Sequence, residues 1–207
     1  MDYQPLKDRL NDFLLQHIGE DRPAYLDIDE THPELNDLTE RFDVIRDEWD
    51  AFEARRDASD GNALSLVQSG RADTTNRTFF PLTSRLLDDI PDVVQASFSV
   101  LEPGANVPCR RGPSPGCLRY ELGIKVPRRS PPTLVVDKQP YVWREGEAVM
   151  FDESHPHLVI NRSDERRVVL TVAVLRELPW HLSALNKAMI FGLAKPVSHR
   201  KAAYRAH

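Results

Sequence analysis

Hydrophobic positions change their period along the chain. Leu6, Leu10, Phe13, Leu14 and Ile18 recur at three- and four-residue steps ahead of Gly19, so the spacing predicts a first helix over 5–18. A stronger stripe, Leu35, Leu38, Phe42, Ile45, Trp49 and Phe52, predicts a second helix with one apolar face along its whole length, opened by Thr31-x-x-Glu34 as a capping box. Residues 57–78 are rich in Asp, Ser, Asn, Gly and Thr apart from Leu64 to Val67, and they read as a loop. A short helix from Thr83 to Asp89 ends at Ile90-Pro91. From residue 95 the period becomes two, with strands expected at 95–101, 117–126, 133–137, 147–151, 157–161 and 166–175, before helix returns over 178–195. Many short strands without helices between them predict an antiparallel sandwich or barrel, with the long helix covering one sheet.

A chain of 207 residues with 41% hydrophobic content supports one domain with a substantial core. Its parts are a helical segment over 1–60, a β core over 64–177, and a helix with a basic tail over 178–207. The net charge of -5, with no strongly basic stretch before residue 180, argues against a general nucleic-acid binder. The N-terminus has neither the positive start nor the apolar run of a secretory signal, so the expected location is cytoplasmic, with Cys109 and Cys117 as unpaired thiols. The apolar tract from Leu182 to Ala194 falls short of the roughly 20 residues a membrane span requires. Lys195, Arg200, Lys201 and Arg205 follow it, which leaves peripheral membrane contact through 182–205 as a secondary expectation beside packing on the domain.

In the strand 117–126, Leu118, Tyr120, Leu122, Ile124 and Val126 alternate with Arg119, Glu121, Gly123 and Lys125, so Arg119 and Glu121 share a face. His157 opens an apolar strand after Pro156, and Arg167 shares a strand face with Val169 and Thr171. Each has a structural explanation when taken singly: a solvent-facing polar strand side, a hydrogen-bonded packing histidine, a surface ion pair. A barrel with a polar ligand cavity produces the same alternation, and period alone does not separate the two.

Longer motifs change those odds. The segments Ser99-Val100-Leu101-Glu102-Pro103-Gly104, Gly112-Pro113-Ser114, Leu118-Arg119, Leu122-Gly123, Trp143-Arg144-Glu145-Gly146-Glu147 and Phe151-Asp152 occur in fixed order. Over residues 64–177 this resembles the aspartyl/asparaginyl β-hydroxylase family of iron(II) and 2-oxoglutarate dioxygenases. The resemblance implies a mainly β fold with flanking helices around a double-stranded β-helix core of the jelly-roll, cupin-like kind. It implies that His157 matches the second iron ligand and that Arg167 pairs with the 2-oxoglutarate carboxylate, with Ser99 and Arg119 as further cosubstrate contacts. An imidazole suits Fe(II), and a guanidinium fork gives a carboxylate two charge-assisted hydrogen bonds.

Two positions depart from the family pattern. The first iron-ligand histidine is Arg110, which has no lone pair for a metal. A cosubstrate-binding histidine is Glu121, whose carboxylate would face a dicarboxylate. Glu121 pairs with Arg119 or Arg167, or else supplies an oxygen to a rearranged metal site, while Cys109 and His155 are further candidates for recruitment. One reading is a divergent dioxygenase oxidising a small polar or carboxylate-bearing molecule. The other is a non-iron member of the fold, either a carboxylate-binding pseudoenzyme or a metal-free acid/base enzyme using Glu121 and His157. Arg110 and Arg111 point to an anionic substrate, and the expected partner in both readings is a small-molecule carboxylate.

Overall fold

Alternating strands need a second apolar surface on each buried face, and here helices supply one and another sheet the other. The computed structural model describes residues 4–55 and 63–192. Its helices are α1 (Gln4–Ile18), α2 (Ile28–Thr31), α3 (Asn36–Glu40), α4 (Phe42–Glu53), α5 (Pro81–Asp89) and α6 (Trp180–Gly192). The strands are β1 (Tyr25–Leu26), β2 (Ala63–Gln68), β3 (Arg71–Ala72), β4 (Val93–Leu101), β5 (Asn106–Arg110), β6 (Cys117–Lys125), β7 (Thr133–Val136), β8 (Gln139–Val142), β9 (Ala148–Phe151), β10 (His157–Ile160) and β11 (Arg167–Leu175). A seven-stranded sheet runs β1-β9-β6-β11-β4-β2-β3 and a four-stranded sheet runs β5-β10-β7-β8. All of their pairings are antiparallel. This is the antiparallel jelly-roll core expected from the sequence.

The larger sheet buries apolar side chains on both faces. On the outer face Phe98, Tyr120, Leu122, Leu170 and Val172 pack with Leu35, Leu38, Ile45, Trp49, Phe52 and Phe80 in one cluster. Burying each large side chain there contributes roughly 1.5–3 kcal/mol. On the inner face Leu101, Val149, Phe151 and Val169 meet Leu134, Val136 and Val159 of the smaller sheet around Trp143. A third cluster joins α1 and α6 through Leu14, Leu182 and Met189. Glu48 of α4 accepts from the backbone of Leu82 at 2.7 Å and Thr83 at 2.9 Å, so one helix satisfies the open N-terminus of the next.

Several expectations need correction. The stripe from Leu35 to Phe52 is not one helix but a 3-10 turn (Pro33–Leu35), α3 and α4, broken at Arg41, where φ is -99° and ψ 20°. Thr31 does not cap it. No side chain caps its three pieces, the capping side chain nearby being Asp27 of α2, which accepts from Asp29 N at 2.8 Å, and Thr31 closes α2. Pro33 is the reason: it drives His32 out of helical conformation, to φ -147° and ψ 71°, and restarts the chain. Glu34 takes Nδ1 of His32 at 3.0 Å instead of closing a capping box. The expected loop over 57–78 contains β2 and β3, with Leu66 and Val67 buried, and β2 extends the large sheet beside β4. β5 and β8 escape the period-two reading because each is an edge strand carrying a proline, Pro108 and Pro140, a residue that edge positions tolerate.

Cys109 is exposed and Cys117 buried, both unpaired. Among the described residues no helix is long and apolar enough to cross a membrane. The basic tail from Lys195 onward lies outside the described residues.

Candidate functional site

Residues opposite one another on neighbouring strands share a sheet face, so the register shows which way each candidate points. On β6, Arg119 and Glu121 lie opposite Ala173 and Thr171 of β11 and opposite Phe151 and Val149 of β9. On β4, Ser99 faces Val169 and Leu101 faces Arg167. Val149, Phe151, Val169 and Leu101 belong to the cluster between the sheets, so Ser99, Arg119, Glu121 and Arg167 line that same interior. From the smaller sheet His157 on β10 lies opposite Arg110 of β5 on one side and Val136 of β7 on the other. His157 is buried, whereas Arg110 is exposed at the rim. Every predicted site residue therefore comes from strands that wall the space between the sheets.

The polar wall divides into an engaged half and an open half. Arg119 donates from Nε to Glu153 Oε2 at 2.6 Å, makes a second contact to that oxygen through Nη2, and holds Nη1 3.9 Å from Glu121 Oε1. Burial works against the Arg119 cation, but Glu153 and then Glu121 outweigh it and raise its pKa. Thr171 Oγ1 donates to Glu121 Oε1 at 3.4 Å. Of the pairings considered for Glu121, the Arg119 one is present.

Arg167 contrasts with this. It is 3% exposed, its Nε and Nη1 have no hydrogen-bond partner among the described residues, and its Cζ stands 5.0 Å from the ring centroid of Trp143, whose Nε1 likewise has none among them. Burial lowers the Arg167 pKa, and the nearby charge of Glu121 counters it only in part. Buried donors without acceptors cost about 1–3 kcal/mol each. An arginine left in that condition fits an anionic acceptor brought in from outside.

His157 is held the opposite way. Its Nδ1 donates to the His155 carbonyl at 3.1 Å, which makes Nε2 the lone-pair nitrogen. Burial lowers its pKa, and the charges of Arg119 and Arg110 push in the same direction against the His155 carbonyl and Glu153, so the ring is neutral at pH 7.

The turn between β9 and β10 carries two residues that the sequence reading passed over. Glu153, 1% exposed, anchors Arg119 and sits against Gly112, where a Cβ would overlap its side chain. Asp152 is fully buried, accepts from Arg22 Nε at 3.1 Å and Ser154 N at 2.9 Å, and forms an ion pair with Arg176, whose Nη2 is 2.6 Å away, which ties the segment before β1 and the end of β11 to the base of the site. Burial opposes the Asp152 charge, yet Arg176 and the Ser154 hydrogen bonds outweigh it and hold the carboxyl below its ordinary range. The signal was the acidic pair in Phe151-Asp152-Glu153-Ser154. It reads as an ordinary turn until its distant partners are known.

The groups implied by the family resemblance fit unequally. A two-histidine iron site needs a second imidazole beside His157, and the residue across the strand there is Arg110, a protonated fork with no lone pair. His155 directs Nε2 toward Asp152, 4.0 Å away, and Cys109 is exposed. Among the described residues no three His, Cys, Asp or Glu side chains gather into a metal-ligand group. The residues present do not fit the family's iron. For 2-oxoglutarate, Arg167 suits one carboxylate, while the other end of the wall already holds Glu121 on Arg119.

Comparison with known proteins agrees with the motif reading. The profile of the aspartyl/asparaginyl β-hydroxylase family matches residues 29–177. The chain is 37% identical over 111 residues to an ornithine lipid ester-linked acyl 2-hydroxylase of Rhizobium tropici, covering 53% of this chain and 40% of that protein. It is 34% identical over 127 residues to human aspartate β-hydroxylase domain-containing protein 1, covering 57% of this chain and 31% of the relative. Identity to human aspartyl/asparaginyl β-hydroxylase is 28% over 131 residues, covering 61% of this chain and 16% of that one. The chain thus spans less than half the length of these relatives. Among solved structures the cupin domain of Schizosaccharomyces pombe Cnp3 superposes at a TM-score of 0.35 and 10% identity, covering 41% of this chain and 57% of that one. That likeness is too slight to carry an argument, and the jelly-roll assignment rests on the sheet topology. With a profile match running from α2 to the end of the β core, the chain belongs to the aspartyl/asparaginyl β-hydroxylase family.

Proposed function

We propose that this chain is a divergent, hydroxylase-like member of its family whose inter-sheet cavity takes a small carboxylate-bearing molecule, with the carboxylate on Arg167. The observation that carries this reading is the buried Arg167 guanidinium with two unpartnered nitrogens over the Trp143 ring. The Trp143 ring stands 5.0 Å from the guanidinium carbon, and Ser99 on the neighbouring strand offers a hydroxyl to the same interior. The names of the relatives give one reaction class on unlike substrates, an ornithine-lipid acyl chain in one case and aspartyl or asparaginyl residues in another. The class is therefore carried over and the substrate is not.

Arg110 opposite His157 favours a second reading of the chemistry, a carboxylate-binding protein of the family that works without iron. In that form neutral His157 presents Nε2 as a base, with Glu121 as the carboxylate on the opposite wall. Protein purified anaerobically and loaded with Fe(II) decides between them. Stoichiometric iron together with oxygen consumption supports the hydroxylase, whereas carboxylate binding that is unchanged by iron, with none retained, supports the second reading. Undiminished carboxylate binding in Arg167→Met would overturn the site itself.

A further inference from the structure

We propose that the cavity selects a singly charged carboxylate and rejects dicarboxylates, with Glu121 as the selecting residue. This inference deepens the Arg167 reading and rests on it. Arg119 and Arg167 both face the space between the sheets, but Arg119 is already engaged by Glu153 at 2.6 Å and lies 3.9 Å from Glu121, whereas Arg167 keeps two nitrogens without partners among the described residues. A ligand carboxylate thus finds donors in one place.

A second carboxylate on the same ligand meets a wall whose cation is taken. Glu121 stands between the two arginines: it touches the Arg119 fork, accepts from Thr171 Oγ1 at 3.4 Å, and lies near enough to Arg167 to act on its charge. At 8% exposed it has little water to screen it. In effect the protein supplies its own second carboxylate at the place where a dicarboxylate would put one. Two negative charges roughly 6–12 Å apart at an effective dielectric of about 20 repel strongly enough for a discrimination of roughly tenfold to a hundredfold.

Two probe pairs isolate the charge. 2-Oxopentanoate and 2-oxoglutarate share a five-carbon chain and keto group and differ in the terminal carboxylate, and pentanoate and glutarate differ in the same way. Calorimetry on the full chain is expected to show each monocarboxylate binding at least about tenfold tighter than its dicarboxylate partner. Glu121→Gln, nearly isosteric, is expected to shrink that ratio to about threefold or less by strengthening dicarboxylate binding, and Arg167→Met to lose all four probes. If Glu121→Gln fails to fold by circular dichroism, Glu121→His at pH 8 serves as the neutral replacement. Equal or tighter dicarboxylate binding by the wild type, or a ratio that does not change when Glu121 is neutralised, overturns the proposal. Failure of all four probes to bind the wild type overturns the Arg167 reading, and the selectivity falls with it.

Discussion

Replacing Arg167 by methionine should stabilise the ligand-free protein while abolishing carboxylate binding. The guanidinium is 3% exposed and leaves Nε and Nη1 without acceptors. Each such donor costs about 1–3 kcal/mol. Against this stands the cation–π contact with Trp143 at 5.0 Å, worth about 0.5–2 kcal/mol. Methionine recovers part of that loss through a sulfur–aromatic contact of roughly 0.3–1.5 kcal/mol, in a site already lined by Leu101, Val169 and Trp143. The attraction of Glu121 for the guanidinium is lost as well, which brings the balance to a gain of about 1–3 kcal/mol, or several degrees in Tm for a chain of this size at roughly 2–4 °C per kcal/mol. Urea unfolding followed by tryptophan fluorescence reads it, because Trp49 and Trp143 are fully buried. Adding a carboxylate at about 100 times its Kd should then lift the wild type by about 2.7 kcal/mol and leave the variant unmoved. A variant more than about 1 kcal/mol less stable than the ligand-free wild type would show that Arg167 already has its partner within the fold, and the argument for an incoming anion would fail.

Two further outcomes follow from the charges around this site. The folded-state pKa of His157 is depressed, so the unfolded chain binds the extra proton first: stability should be full above the ordinary histidine value of about 6.5, fall as pH drops below it, and level out once the folded ring also protonates, with urea midpoints for His157→Gln showing a shallower decline over the same window. Asp152→Asn should cost about 3–5 kcal/mol, because it leaves Arg22 and Arg176 buried against a neutral amide, and a loss under about 1 kcal/mol in urea would show that the two guanidinium groups are served by other acceptors.

How legible the fold was depended on which faces of each strand are buried. β4, β6 and β11 pack on helices outside and on the smaller sheet inside, so they are long and rich in apolar residues, and their runs stood out. β5 and β8 border the small sheet with one ladder edge open, are largely exposed and carry Pro108 and Pro140, so they had no period to read. The stripe from Leu35 to Phe52 was correct about burial and wrong about continuity, because side-chain period survives a break at Arg41 that restarts the helix in nearly the same phase. Thr31 misled for a related reason: a capping box is a four-residue pattern, and the proline between its ends decides whether the chain can use it.

The strand placement of the candidate residues was legible, and their pairing states were not. Period two placed Arg119 beside Glu121, and the motif order gathered Ser99, His157 and Arg167, but no spacing shows that Arg119 is already engaged and Arg167 is not. That distinction depends on Glu153, thirty-four positions from Arg119 along the chain and joined to it only by the fold. The two departures from the family pattern then fall on different parts of the site. Arg110 lies on the small sheet, where it helps to keep His157 neutral from a position where the family places a metal ligand. Glu121 lies on the large sheet, 3.9 Å from an Arg119 that Glu153 already engages, while Arg167 keeps two nitrogens without partners among the described residues. The two departures thus stand on different sheets, so the proposed carboxylate recognition and the proposed oxidation can each be measured without assuming the other.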